Sequence, residues 1–224
     1  MDIQALWLTA RLALVSTLIL MVIAVPLAWG LSRWQGAGKA LVQAVIALPL
    51  VLPPTVLGFY LLIAFSPNNA FGQTWQALFG TPLAFTFEAL VIGSVLYSLP
   101  FAVQPLHAGF CQLQPALLDT ARMLKLPGVA RWRYIVLPAI APHALIAAGL
   151  SFAHTIGEFG VVLMIGGNIP GETRVASIAL FDHVEALDYT QAHQLAAVLL
   201  IISLAMLAML YWRQGKGGMQ WRVM

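Results

Sequence analysis

The chain has 224 residues, 61% of them hydrophobic and only 8% charged, with a formal net charge of +3. Apolar runs this long and this empty of charge exclude a soluble globular domain and point to a membrane protein. The basic residues cluster in alternate loops and form no basic stripe interleaved with aromatics, so nucleic acid is not an expected partner.

From Leu12 to Leu31 no side chain is ionisable. About 20 helical residues, each rising about 1.5 Å, cross a hydrocarbon core of about 30 Å. The run is too long for a signal peptide's apolar stretch and no small-x-small cleavage site follows, so it reads as a retained span. Similar runs follow from Ala40 to Phe65, Ala89 to Leu106, Ile135 to Ile156 and Ala192 to Trp212. All are expected to be helical, because lipid offers backbone amides no other partner. The expectation is one all-α domain of about five spans over residues 1–224, without linkers or internal repeats. Trp7, Trp29, Trp34 and Trp212 fall near span ends, where amphipathic rings anchor at the interface.

Basic residues prefer the cytoplasmic side. The first loop holds Arg33 and Lys39, the third Arg122, Lys125, Arg131 and Arg133, and the tail Arg213, Lys216 and Arg222. The second loop has no lysine or arginine, and the fourth has only Arg174 among five acidic residues. An outside amino terminus and a cytoplasmic carboxyl terminus follow; Arg11, just ahead of the first uncharged run, is the one dissenting residue. Cys111 is the single cysteine, which excludes an intrachain disulfide and a four-thiolate zinc site.

Proline and glycine are dense inside the spans: Pro26, Pro49, Pro53, Pro54, Gly58, Pro100, Pro105, Pro138 and Pro142. Pro53 and Pro54 together must interrupt the helical ladder in mid-span, and Thr55 and Gly58 follow at the break. After Ile156 comes Gly157-Glu158-Phe159-Gly160, then about seven apolar residues to Gly167. A helix that short cannot cross, so it is expected to enter part way and return under the cover of protein, as a gate built from Pro53, Pro54, Thr55, Gly58, Gly157, Glu158, Phe159 and Gly160. A carboxylate is a poor ligand for a dianion, which makes Glu158 a bracing residue instead of an anion contact. In the next loop Asn168, Gly171 and Thr173 offer donors beside Arg174, suited to an oxyanion or to a docking protein.

Between the third and fourth spans, Pro115 suits a helix's first turn, Pro127 and Gly128 stop it, and Leu117, Leu118, Ala121 and Leu124 share a face. Asp119 and Lys125 each sit at the end of this helix that the dipole favours. Val129–Tyr134 adds a second turn or two, giving a cytoplasmic helical hairpin over 115–134 with an apolar ridge. That ridge could lie on lipid or insert into a groove of a soluble partner.

The segment Asp119-Thr120-Ala121, with Ile135-Val136-Leu137-Pro138 closing it, resembles the cytoplasmic signature of bacterial ABC-importer permeases, and Lys125 occupies the family's glycine position. LPLVLPPTVLGFYLL and GEFGVVLMIGGNIPGETR look like segments of molybdate importer permeases, with tungstate and sulfate permeases as the nearest alternatives. The resemblance implies a type I importer fold in the bacterial inner membrane. It also implies a second copy of the chain, two ATP-binding subunits holding ATP and Mg beneath it, and a periplasmic oxyanion-binding protein above. Leu117, Leu118, Asp119, Thr120, Ala121, Arg122, Leu124, Lys125, Leu126 and Gly128 become the ATPase-coupling residues. Independently, the chain has no G-x-x-x-x-G-K-[ST] stretch, so it is expected to use no nucleotide or other cofactor of its own. The rival from another class is a metal-dependent membrane enzyme built on His154 and Glu158, four apart on one helical face; the ligand set is incomplete and no metal is expected. An ATP-independent carrier is the second rival.

Overall fold

In a computed structural model, residues 2–114, 116, 119, 121, 123 and 125–217 are described, the last five as backbone only. The regular elements among them are helical. Helix α1 (Ile3–Arg33) begins ahead of the uncharged run, where the Asp2 carboxylate accepts the Ala5 amide at 3.0 Å. Arg11 is therefore inside a helix, its guanidinium 4.4 Å above the Phe87 ring. The residue that argued against the orientation is an exposed cation–π partner within the helix.

Helix α2 (Gly38–Ala47), a 3₁₀ turn at Leu48–Leu50 and α3 (Pro54–Phe65) form a pair bent by 105°. Pro53 caps α3 and Pro54 is its first residue, so the break falls where two successive amide donors are missing. Helix α4 (Ala70–Phe79) is short, starts at an Asn69 cap and ends at Gly80 with φ of 77°. Helix α5 (Phe87–Cys111) stays continuous through Pro100 and Pro105.

Helix α6 (Gly128–Gly157) contains a π-helical turn at Trp132–Val136 that ends two residues before Pro138. The wider turn accommodates a proline whose ring and missing N–H would disrupt an α-turn. The second limb expected of the hairpin is thus the foot of α6, and Ile135 is already within the span. Short helices α7 (Gly160–Gly166) and α8 (Ala176–Glu185) precede α9 (Tyr189–Gly217). By length and composition α1, α5, α6 and α9 can each cross a membrane, four spans among the described residues, or five when the bent α2–α3 pair is counted as one broken span.

The core is the α1–α5–α6 bundle. Ala13, Ala24, Ala28, Ala102 and Ala147 are fully buried, and these small side chains let the backbones approach where lipid supplies no hydrophobic drive between helices. Leu12, Leu20, Leu90, Leu106 and Ile140 fill the space between them. α1 and α5 run in the same direction, with Arg11 at Phe87 and Trp29 against Phe110, ring centroids 5.1 Å apart. α6 runs the opposite way, His143 lying beside Gly109 and His154 beside Ser98. One end of the bundle therefore collects Asp2, Glu88, Glu172 and Asp182, and the other Arg33, Lys39, Arg131 and Arg133. Trp132 closes the basic end against Trp29, at 4.9 Å.

Lys125 has φ of 52°. The turn thus falls at the position where the family has glycine, and Gly128 begins α6. A side chain in the left-handed region costs about 1 kcal/mol. Lys125→Gly should accordingly raise stability by up to about 1 kcal/mol, read as a higher thermal midpoint of the purified chain, whereas Lys125→Val should lower it.

Candidate functional site

The two stretches singled out as a gate meet. α7 lies between α3 and α5, with Val161, Val162 and Ile165 fully buried. A Cβ on Gly160 would stand 2.7 Å from Cβ of Pro54 and 3.6 Å from the Thr55 amide; one on Gly58 would stand 2.7 Å from Cβ of Met164. Glycine is required at both places because the helices touch backbone to side chain, with no room for a methyl group. Pro53 and Pro54 turn α3 toward this contact, while Gly157 faces open space, with nothing within 4 Å of a Cβ.

The excursion and return expected of this segment are shared between two helices. α7 climbs α5 from Gly93 toward Phe85, whose amide donates to the Ile165 carbonyl at 2.9 Å. It continues the direction of α6 after a two-residue interruption at Glu158 and Phe159. α8 then comes back: the Ser177 hydroxyl donates to the Glu158 carbonyl at 2.6 Å, and Phe181 packs on Phe159 with centroids 5.1 Å apart.

Glu158 was expected at the outer end of the fourth span. It lies deeper, one turn beyond the Ser98–Thr155 contact of 3.3 Å, and is 4% exposed. Ser94 approaches the carboxyl, but neither carboxyl oxygen completes a hydrogen bond. Glu158 therefore sits in a buried polar seam with Ser94, Ser98, Ser151 and Thr155, between the bundle and the gate. The serines at 94 and 98 on α5 and the Ser151–Thr155 pair on α6 recur at one-turn spacing, the signal that reading along the chain missed. Glu158→Gln, similar in volume and able to donate to Ser94, should keep expression and thermal midpoint near wild type. Glu158→Lys places a longer cation in a site without an acidic partner and should prevent accumulation of the folded chain.

His154 does not join Glu158 in a ligand pair. Its Nδ1 is 2.9 Å from the Ser98 hydroxyl, and its ring stacks on Phe101 at 4.2 Å and lies 4.7 Å from Tyr97. Among the described residues no three His, Cys, Asp or Glu side chains are placed to hold a metal ion.

The outer loop is braced inward. Thr173 is fully buried; its hydroxyl donates to the Gly166 carbonyl at 2.7 Å and accepts from the Ile169 amide at 3.1 Å, and its amide donates to the Ile169 carbonyl at 3.0 Å. Thr173 has no donor left for an anion, which corrects that expectation. Asn168 donates to Asp182 at 2.7 Å, and Arg174 pairs with the same carboxylate at 3.1 Å and with Asp2 at 3.9 Å. These bonds tie α8 and the start of α1 to the loop. Gly171, with φ of 85°, turns the chain against Gln4.

Of the coupling residues, Asp119 and Lys125 are exposed, Leu126 is half-buried and Gly128 is exposed at the foot of α6. Ala121 is buried, so it packs inward and not on a docking ridge; its carbonyl accepts the Leu126 amide at 3.1 Å. Leu117, Leu118, Thr120, Arg122 and Leu124 lie outside the described residues. Two apolar side chains not singled out from the sequence stand out from this region, Met123 at 84% and Val129 at 81% exposure.

The family model of the inner membrane component of binding-protein-dependent transport systems matches residues 21–214. The chain belongs to this family. The permease is 48% identical over 210 residues to the molybdenum transport system permease protein ModB of Azotobacter vinelandii, covering 94% of this chain and 93% of the relative. It is 33% identical over 195 residues to the sulfate transport system permease protein CysT of Escherichia coli K12, covering 86% and 69%. In fold it matches a chain in the crystal structure of a bacterial alginate ABC transporter with its alginate-bound periplasmic protein, at a TM-score of 0.74, 16% identity and coverage of 93% and 76%. The permease is a multi-pass inner-membrane protein with the type I importer architecture, a transport subunit and not an enzyme.

Proposed function

We propose that this permease is the membrane channel of an importer for a tetrahedral oxyanion, molybdate first, moved inward by alternating access that a separate ATPase drives. The observation that carries the reading is the 48% identity to a molybdenum permease along nearly the full length of both chains. The 33% identity to a sulfate permease keeps sulfate, and with it tungstate, as the second reading within the same oxyanion chemistry.

On this reading the basic end of the bundle is cytoplasmic, the amino terminus is outside and the carboxyl terminus inside. Two copies of the chain enclose the pathway. Two ATP-binding subunits, which hold the ATP and Mg, seat against Met123, Lys125 and Val129, and a periplasmic binding protein delivers the anion to the loop braced by Arg174. The α3–α7 contact is the moving constriction. It lies directly above the break at Glu158, so a displacement of α6 reaches it through two residues. Selection of the anion belongs to the binding protein, and the channel needs only a weak, opening passage.

The test is uptake of molybdate, tungstate and sulfate into vesicles holding the chain with its ATPase and binding protein. Uptake should require ATP hydrolysis and be fastest with molybdate. Fastest uptake of sulfate would select the second reading, and transport by the purified chain alone would overturn both.

A further inference from the structure

We infer that the basic end of this permease carries a weak binding pocket for a tetrahedral oxyanion, lined by Gln43, Gln104 and His107 between α1, α2 and α5, with Lys39 one helical turn from Gln43. A cavity of about 270 Å³ opens there, walled on the apolar side by Leu31, Ile46 and Val103. At about 30 Å³ for each water in the liquid, this holds an oxyanion with part of its hydration shell.

Its polar lining is one-sided. Gln43 and Gln104 face the cavity, and among the described residues neither side-chain amide is engaged by a protein partner. Lys39 precedes Gln43 by one helical turn on the same face of α2, and lies near enough for its charge to act on His107. The His107 ring is held against the Leu31 carbonyl, with Nε2 3.6 Å from Sγ of Cys111. No acidic side chain lines the cavity. Two side-chain amide donors beside one ammonium group suit an anion, while the His107 ring, its N–H turned to Leu31, shapes the wall. A metal cation would find two soft ligands, His107 and Cys111, and repulsion from Lys39.

Neutral donors also suit a site that must release what it binds. One lysine raises the local anion concentration, while the glutamines exchange contacts with water at little cost. The cavity opens at the basic end of the bundle, so the oxyanion has two possible sources: the cargo leaving the channel, or the phosphate of an anionic lipid headgroup. The first source rests on the function proposed above; the second does not.

Cys111 is exposed, is the only cysteine in the chain and touches His107, which makes it a built-in reporter. The experiment is the rate of Cys111 alkylation by a maleimide in the full-length chain, reconstituted without ATPase. Phosphatidylcholine vesicles are compared with vesicles that also contain phosphatidylglycerol. Millimolar potassium molybdate should slow alkylation about threefold in phosphatidylcholine, and potassium chloride at matched ionic strength should not. Protection by phosphatidylglycerol alone, with no further effect of molybdate, would assign the pocket to the lipid phosphate. Gln104→Glu and Lys39→Glu, both at positions that bury little apolar surface, should each abolish protection from either source. Equal rates under all conditions, or full protection retained in both variants, would overturn the pocket. Because no uptake is measured, its failure is separate from failure of the import reading, which ATP-driven uptake decides.

Discussion

Val129→Asp, and separately Met123→Asp, should disconnect the permease from its ATPase while leaving its own fold intact. Both side chains are more than four-fifths exposed, so neither contributes to packing within the chain, and surface changes of this kind usually alter stability by less than about 0.5 kcal/mol. Burying one such apolar side chain at an interface contributes about 1.5–3 kcal/mol. An aspartate in the same groove loses that contribution and must be stripped of water as well. A combined loss of about 3–5 kcal/mol weakens association by about two to three and a half orders of magnitude. Co-purification of the ATPase with the tagged permease and ATP-driven uptake should both disappear. Membrane insertion and thermal midpoint should not change. A variant that still carries its ATPase and transports normally would remove the coupling role from this surface.

Gly58→Val should abolish transport by a different route. The helices at this point are separated by the absence of a side chain: a Cβ already stands 2.7 Å from Cβ of Met164 and 3.3 Å from Cα of Val161, and valine adds two methyl groups. α7 is held on its other side by α5, so it cannot retreat. Overpacking of this kind costs about 1–3 kcal/mol and is relieved here by prising α3 away from α7. Uptake should be lost, or become leaky to small anions, while the assembled complex still forms and hydrolyses ATP without productive coupling. Gly157→Ala is the matched control. It lies in the same proposed gate but faces open space, and should transport within about twofold of wild type. Normal coupled uptake in Gly58→Val would show that α3 and α7 do not form the constriction.

These two sites differ in how far the sequence announced them. The interruption at Pro53 and Pro54 was legible because two consecutive missing amide donors leave a helix no alternative. Asymmetry in lysine and arginine was equally plain along the chain, whereas the contact of Arg11 with Phe87 was not, because it exists only once α1 and α5 are side by side. The Gly58–Met164 contact and the depth of Glu158 were hidden for the same reason. A glycine states that the backbone can come close to something, not to what. Thr173 and Arg174 read as available donors because sequence shows hydrogen-bonding capacity but not its use; the fold spends that capacity on Gly166, Ile169 and Asp182. Lys125 shows the opposite limit. Lysine has no local preference for positive φ, yet Lys125 adopts it, at the position where the family has glycine.

The unbroken course of α6 from Gly128 to Gly157 has a mechanical consequence. At about 1.5 Å per residue it is a rod about 45 Å long, bonded turn to turn except where Pro138 and Pro142 lack an amide donor. Its aromatic seat, where Trp132 rests on Trp29 and Phe110, lies close to the foot, so the arms on either side are unequal. A tilt imposed at the short arm is magnified at the far tip, and that tip ends on the interrupted backbone before α7. On the proposed import cycle a small stroke below would be geared up into a larger sweep above, and stiffening the joint at Glu158 and Phe159 would shorten that sweep.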